Sequence, residues 1–210
     1  MTGDPVAEAA EAALAGRLIV VPTDTVYGIG TRPDDPSATA RVFEAKQRDR
    51  DLALPILVDS IEAAREVARF DDRAEALARS LWPGALTLVL PRSDAATTWD
   101  LGGDPRTVGV RMPAHRLVCE VLAATGPLAV TSANRSGEPP ANTCDELHAA
   151  FGDQVDVYLC QADDLRGAAS TVLVLTEGRA RILRQGDVTR EAIARCMPGG
   201  GALLDSRPSP

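Results

Sequence analysis

Apolar positions along the chain alternate between two kinds of stretch. Short uninterrupted runs at 18–21, 55–58, 86–90, 107–110, 128–130, 155–159 and 171–175 are rich in Val, Ile and Leu and carry few polar breaks. Such runs read as strands buried on both faces of a sheet. Between them, apolar residues recur at helical spacing. Asp4-Pro5 and Asp35-Pro36 are cap-then-proline starts that predict helices over 4–15 and from 36 to 46. Asp59-Ser60 opens another helix carrying Ala63, Ala64, Val67 and Ala68, and a helix over 72–81 stops at the breaker Trp82-Pro83-Gly84. A helix over 114–125 presents Leu117, Val118, Val121 and Leu122 on one face. Thr143 with Glu146 three residues on is a capping box for a helix through Phe151. Glu177-Gly178 predicts a hairpin turn returning through 180–184, and a last helix spans 189–197.

Alternating strands and helices, with late strands close enough in sequence to pair antiparallel, predict an α/β fold with a twisted mixed open sheet flanked by helices. Residues 1–197 are expected to form one domain, followed by a loose tail over 198–210 that begins Pro198-Gly199-Gly200-Gly201. The polar stretch 92–106 reads as a surface excursion, and residues 22–30, with Gly28 and Gly30, as a loop leaving the first strand.

Composition narrows the classes. The 210 residues are 45% hydrophobic but only 3% aromatic, so the core must be built from small aliphatic side chains, and a base-stacking platform is disfavoured. A net charge of −8 argues against generic adhesion to nucleic acid or anionic membrane. No apolar run approaches the roughly 20 residues a membrane span needs, and no leader pattern opens the chain, so a soluble, cytoplasmic protein is expected. The four cysteines (119, 144, 160 and 196) have no metal-site spacing and read as buried reduced thiols; no metal site is expected.

Candidate chemistry collects where strands end. Thr23-Asp24-Thr25, Arg111 and Thr131-Ser132-Ala133-Asn134 each leave a strand, Ser170-Thr171 and Arg184 lie at strand edges, and Lys46, Arg48 and Arg50 follow the second helix. Cations with neutral donors suit a ligand bearing several phosphate or carboxylate groups. No Gly-x-Ser-x-Gly, phosphate-loop or Cys/His signature is present. Each feature also has an ordinary structural reading: a turn that satisfies its own backbone, or a solvated helix end.

Seven motifs in register resemble the YrdC/Sua5 family: Val-Pro-Thr-Asp-Thr-Val-Tyr-Gly-Ile-Gly (21–30), Glu-Ala-Lys-Gln-Arg (44–48), Leu-Trp-Pro-Gly-Ala-Leu-Thr-Leu-Val-Leu (81–90), Val-Gly-Val-Arg-Met-Pro (108–113), Thr-Ser-Ala-Asn-Arg-Ser-Gly (131–137), Ser-Thr-Val (170–172) and Ile-Leu-Arg-Gln-Gly (182–186). The resemblance covers roughly residues 10–186 and is to the short, single-domain form. It implies a deep, basic central cavity in which ATP, L-threonine and bicarbonate or CO2 become threonylcarbamoyl-AMP and pyrophosphate, for N6-threonylcarbamoyladenosine in tRNA. Mg²⁺ would arrive with ATP. Partners would be a downstream threonylcarbamoyl transferase complex and, through a weak contact, tRNA.

By the same resemblance Lys46 and Arg48 would be catalytic, Thr25, Arg111, Thr131 and Ser170 would hold threonine, and Arg50, Thr107, Ser132, Asn134 and Arg184 would face the nucleotide. About two extra residues between Lys46 and Pro55 leave Arg48 and Arg50 competing for the phosphate role. Asp59 stands where some long-form members have a histidine near threonine. Two other readings remain open: a paralogue forming a different carbamoyl adenylate, as in hydrogenase maturation, and a non-catalytic RNA-binding or ribosome-maturation module.

Overall fold

A computed structural model describes residues 3–161, 165, 167–176, 178–198 and 203–205. Among these described residues ten strands form one mixed sheet in the order β10-β9-β8-β4-β5-β3-β6-β2-β1-β7. They are β1 Ile19–Val21, β2 Gly28–Thr31, β3 Ile56–Leu57, β4 Leu86–Pro91, β5 Thr107–Arg111, β6 Leu128–Ser132, β7 Val157–Tyr158, β8 Thr171–Thr176, β9 Arg179–Arg184 and β10 Leu203–Asp205. Among the same residues seven α-helices accompany them: α1 Pro5–Leu14, α2 Pro36–Lys46, α3 Ile61–Val67, α4 Asp72–Leu81, α5 Arg116–Thr125, α6 Cys144–Phe151 and α7 Arg190–Cys196. The mixed α/β architecture is the one the sequence predicts.

The uninterrupted apolar runs follow from burial on both sides of the sheet. In β1, Val20 faces a large core with Ile29, Phe43 and Ile56. Ile19 and Val21, on the opposite face, pack with Ala9, Ala12, Val118 and Leu122 of α1 and α5. Successive strand side chains point to opposite faces, so a strand covered twice has no polar position to spare. Small residues compensate for the lack of aromatics: Ala9, Ala12 and Ala13 are fully buried, which lets α1 lie close to α5 and the sheet.

Caps fix the helix starts as the sequence suggests. The Asp4 carboxylate accepts from Val6 N–H at 3.0 Å, and Asp35 from Ser37 N–H at 2.8 Å, each with proline in the first turn. The Thr143–Glu146 capping box is reciprocal.

Three expectations are corrected. Residues 28–31, expected in a loop, form a strand between β1 and β6. A Cβ at Gly30 would lie 2.2 Å from the Ala129 carbonyl oxygen, so glycine is what allows this close approach, and it also hides the strand from a reading of side-chain patterns. The tail expected to be loose contributes β10, which pairs parallel with β9 at Leu203↔Ala180; the tail residues 199–202 and 206–210 lie outside the described residues, as does Glu177 of the predicted hairpin turn. Finally, Cys144 and Cys160, expected as thiols, are joined in a disulfide, while Cys119 and Cys196 are free. A Cα–Cα separation of 5.9 Å across 16 residues is a proximity that only the fold creates.

Candidate active site

Strand ends and the loops that follow them surround a cavity of about 650 Å³. Nine of the eleven predicted site residues line it: Thr25, Arg48, Thr107, Arg111, Thr131, Ser132, Asn134, Ser170 and Arg184. That volume lies within the range of small-molecule and cofactor sites.

Arg111 ends β5 and is buried. Its Nε donates to Gly84 O at 3.0 Å, Nη1 to Thr25 Oγ1 at 2.9 Å, and Nη2 to Asp24 Oδ1 at 2.6 Å. Asp24 also accepts from Ala114 N–H at 2.9 Å, so one carboxylate pins both the guanidinium and the chain after β5. Burial lowers the Arg111 pKa from its ordinary value, against the opposing pull of Asp24. Thr23 completes the turn: its Oγ1 donates to Val26 O at 2.6 Å and lies 2.9 Å from Thr25 Oγ1. The hydroxyl turn therefore does satisfy its own backbone, and it also meets the arginine.

On the opposite wall, Arg184 at the end of β9 donates through Nε and Nη2 to Ser170 O at 3.1 and 2.9 Å. Ser170 Oγ lies 2.9 Å from Thr87 Oγ1. Arg48 donates through Nε to Leu52 O at 2.8 Å and through Nη2 to Ala53 O at 3.1 Å. Burial comes first in lowering the pKa of both Arg48 and Arg184, and the charge of Arg184 adds to the effect on Arg48. Among the described residues neither pairs with a carboxylate, so an anion between them would relieve the crowding of like charge. The carboxylates of Asp51, Asp104 and Glu138 also line the cavity, so its basic character is local to the three arginines.

Two predicted residues lie elsewhere. Arg50 pairs with Asp100 and stacks over the Phe43 ring, 4.6 Å from its centroid, away from the cavity. Gln47, in the left-handed conformation with φ 50°, ends α2 and resets the chain, so that Arg48 reaches the cavity and Arg50 does not. Lys46 is not a lining residue and is not a solvated helix end either: it is 1% exposed. Its Nζ donates to the carbonyls of Ser132 and Asn134 and to Asn134 Oδ1 at 3.3 Å, while its own carbonyl accepts from Ser136 N–H at 2.9 Å. Burial, aided by Arg48, pulls its pKa down to about 7. Asp59 accepts from the Ser60 hydroxyl at 3.0 Å and does not line the cavity.

Thr87 is a site residue that the sequence alone does not single out, whereas Asp24, singled out with Thr23 and Thr25, acts by holding Arg111 and does not itself line the cavity. Thr87 is one polar position inside the apolar run 86–90, and that exception is the signal that could have found it. Among the described residues, no three His, Cys, Asp or Glu side chains are grouped to hold a metal ion.

The Sua5/YciO/YrdC family model, described as telomere recombination, matches residues 11–186. The chain belongs to this family. A putative threonylcarbamoyl-AMP synthase of Mycobacterium tuberculosis (strain H37Rv) is 42% identical over 191 residues, covering 90% of this chain and 88% of the relative. The threonylcarbamoyl-AMP synthase of Pyrococcus abyssi is 37% identical over 182 residues, covering 86% of this chain and 53% of that protein. A crystal structure of P. abyssi Sua5 complexed with L-threonine superposes with a TM-score of 0.85 at 32% identity, covering 97% of this chain and 60% of that one. The chain thus spans about three-fifths of the archaeal structure and nearly all of the mycobacterial relative.

Proposed function

We propose that this chain is an L-threonylcarbamoyladenylate synthase. What carries the reading is the convergence of Arg48, Arg111 and Arg184 with Thr25 and Ser170 on one cavity, in a chain whose family includes proteins of that name. Arg111, held by Asp24 on one side, offers its remaining N–H donors to the threonine carboxylate, with Thr25, Thr131 and Ser170 orienting the amino acid. Arg48 and Arg184 take the triphosphate, and Thr107, Ser132 and Asn134 its other polar groups.

The threonine amine attacks CO2, forming an N–C bond and releasing a proton. A carbamate oxygen then attacks the α-phosphorus, and the bond to the bridging oxygen breaks with pyrophosphate leaving. Neither step needs a side-chain nucleophile. The demand is proximity and neutralisation of charge that grows on the leaving phosphates. Lys46 serves the second demand indirectly, by fixing the Ser132–Asn134 backbone. Mg²⁺ would be held mainly by phosphate oxygens and water. The nucleotidyl-transfer class, bicarbonate as carbon source, a cytoplasmic setting, hand-over to a threonylcarbamoyl transferase complex and weak tRNA contact belong to the same reading.

Purified protein incubated with ATP, bicarbonate and threonine should release pyrophosphate only when threonine is present. Pyrophosphate release driven by carbamoyl phosphate instead would favour the paralogue reading. Salt-sensitive RNA binding without turnover would favour the binding module.

A further inference from the structure

The outer wall of the cavity is a strap running from the end of β6 to the start of α6. Within it residues 136–140 are exposed, and Glu138 and Pro140 line the cavity. At its first end the strap is anchored to α2, through Lys46 Nζ on Asn134 and through Ser136 N–H on Lys46 O at 2.9 Å. Between 137 and 143, Asn142 O accepts from Leu165 N–H at 3.1 Å and Ala141 packs against the large core. The second end is closed by the Cys144–Cys160 bond, at the first residue of α6.

Cys160 itself is firmly placed. Leu159 N–H donates to Val20 O at 2.8 Å, Gln161 N–H to Tyr27 Oη at 3.3 Å, and Gln161 Oε1 meets His115 Nε2 at 2.8 Å. The disulfide therefore ties an exposed surface element to the β1–β7 edge of the sheet. Both cysteines are half-buried.

We propose that Cys144 and Cys160 form a reversible thiol–disulfide exchange site whose redox state sets how firmly the 136–143 wall of the cavity is held. Its natural reagents are a low-molecular-weight thiol and the corresponding disulfide. In reduction, a thiolate attacks one sulfur and the other leaves as a thiolate that takes up a proton. A second thiol then displaces the first, leaving two protein thiols and one oxidised reagent disulfide; oxidation reverses these steps. In a reducing compartment, where an ATP-consuming step of tRNA modification would run, a disulfide that forms at all is typically transient and regulatory. The effect on substrate affinity rests on the proposed function; the exchange site itself does not.

The test uses the whole protein and two readouts independent of turnover. After oxidation with glutathione disulfide, denaturation and iodoacetamide should label only Cys119 and Cys196, whereas prior dithiothreitol should expose all four cysteines. Amide exchange in 136–143 should be about tenfold faster in the reduced protein and in Cys144→Ser, since the cross-link anchors the residue at which that segment ends. ATP binding should weaken several-fold on reduction, and Cys144→Ser and Cys160→Ser should each match the reduced protein with and without dithiothreitol. Four labelled cysteines after oxidation, or equal exchange in both states, would overturn the proposal. Redox-dependent exchange without ATP binding in either state would uphold the thiol site and reject the nucleotide reading.

Discussion

Replacing Arg111 by alanine probes stability and substrate binding at the same point. The guanidinium and the Asp24 carboxylate are 7% and 17% exposed, so neither is well hydrated when alone. Arg111→Ala strips Asp24 of its 2.6 Å partner, Gly84 O of its 3.0 Å donor and Thr25 Oγ1 of its 2.9 Å donor. Breaking a buried ion pair from one side costs about 3–5 kcal/mol, chiefly because the other charge stays buried. At roughly 2–4 °C per kcal/mol for a chain of this size, the melting temperature should fall by about 6–20 °C. Asp24→Ala should also destabilise, since Ala114 N–H loses its acceptor. The double variant should cost less than the sum of the two, by about 0.5–3 kcal/mol, because each single leaves the other charge buried and unpaired whereas the double leaves neither. Urea denaturation of the four proteins measures this cycle directly. Strict additivity, or an Arg111→Ala melting point within 2 °C of the parent (about the 1 kcal/mol or less of an exposed pair), would refute the claim that Asp24 and Arg111 form one buried unit. Arg111→Lys keeps a charge but not the fork, so threonine-dependent turnover should show a raised KM for threonine.

Other expectations follow from the same geometry. Arg48→Ala should weaken ATP binding markedly in calorimetry, whereas Arg50→Ala, which removes a half-exposed pair, should change affinity little and stability by under about 1 kcal/mol. Lys46, with a pKa of about 7 in the folded protein against 10.5 ordinarily, binds fewer protons folded than unfolded between those values. Stability should therefore rise with pH across that window, by at most about 1.4 kcal/mol per unit, and Lys46→Met should flatten the slope in denaturation series from pH 7 to 10. Gly186→Ala would place a Cβ 1.9 Å from Ala169 O, and the backbone shift should cost about 1–3 kcal/mol and displace Ser170. A Gly186→Ala protein with unchanged denaturation midpoint would contradict that packing.

The sequence makes the sheet and helices legible where burial leaves a pattern. Strands covered on both faces, such as β1, are continuous apolar runs, and Asp-Pro starts mark α1 and α2. β2 is illegible because its two glycines carry no side chains to alternate, although they are what lets β6 approach. Arg48 and Arg50 cannot be told apart by spacing, since the left-handed Gln47 breaks the period between helix and loop. Lys46 looks like a surface cation in sequence because its acceptors lie 86 and 88 residues away. The disulfide and β10 depend on distant proximity in the same way. The cavity arginines are legible as a set, through the family motifs, but their division of labour is not.

Strand order also dictates when during synthesis the chain becomes competent. β7 sits at one edge of the sheet, and the next strand, β8, lies beyond β1, β2, β6, β3, β5 and β4. The polypeptide must therefore finish its middle before its late segments can find either border. Because chains fold from the amino end as they emerge, a nascent product halted after β7 already holds Arg48 and Arg111. It lacks the paired Ser170 and Arg184 that close the far side. Incomplete copies also lack Leu173, Leu175 and Ile182 of the large core and are poorly equipped to sequester nucleotide.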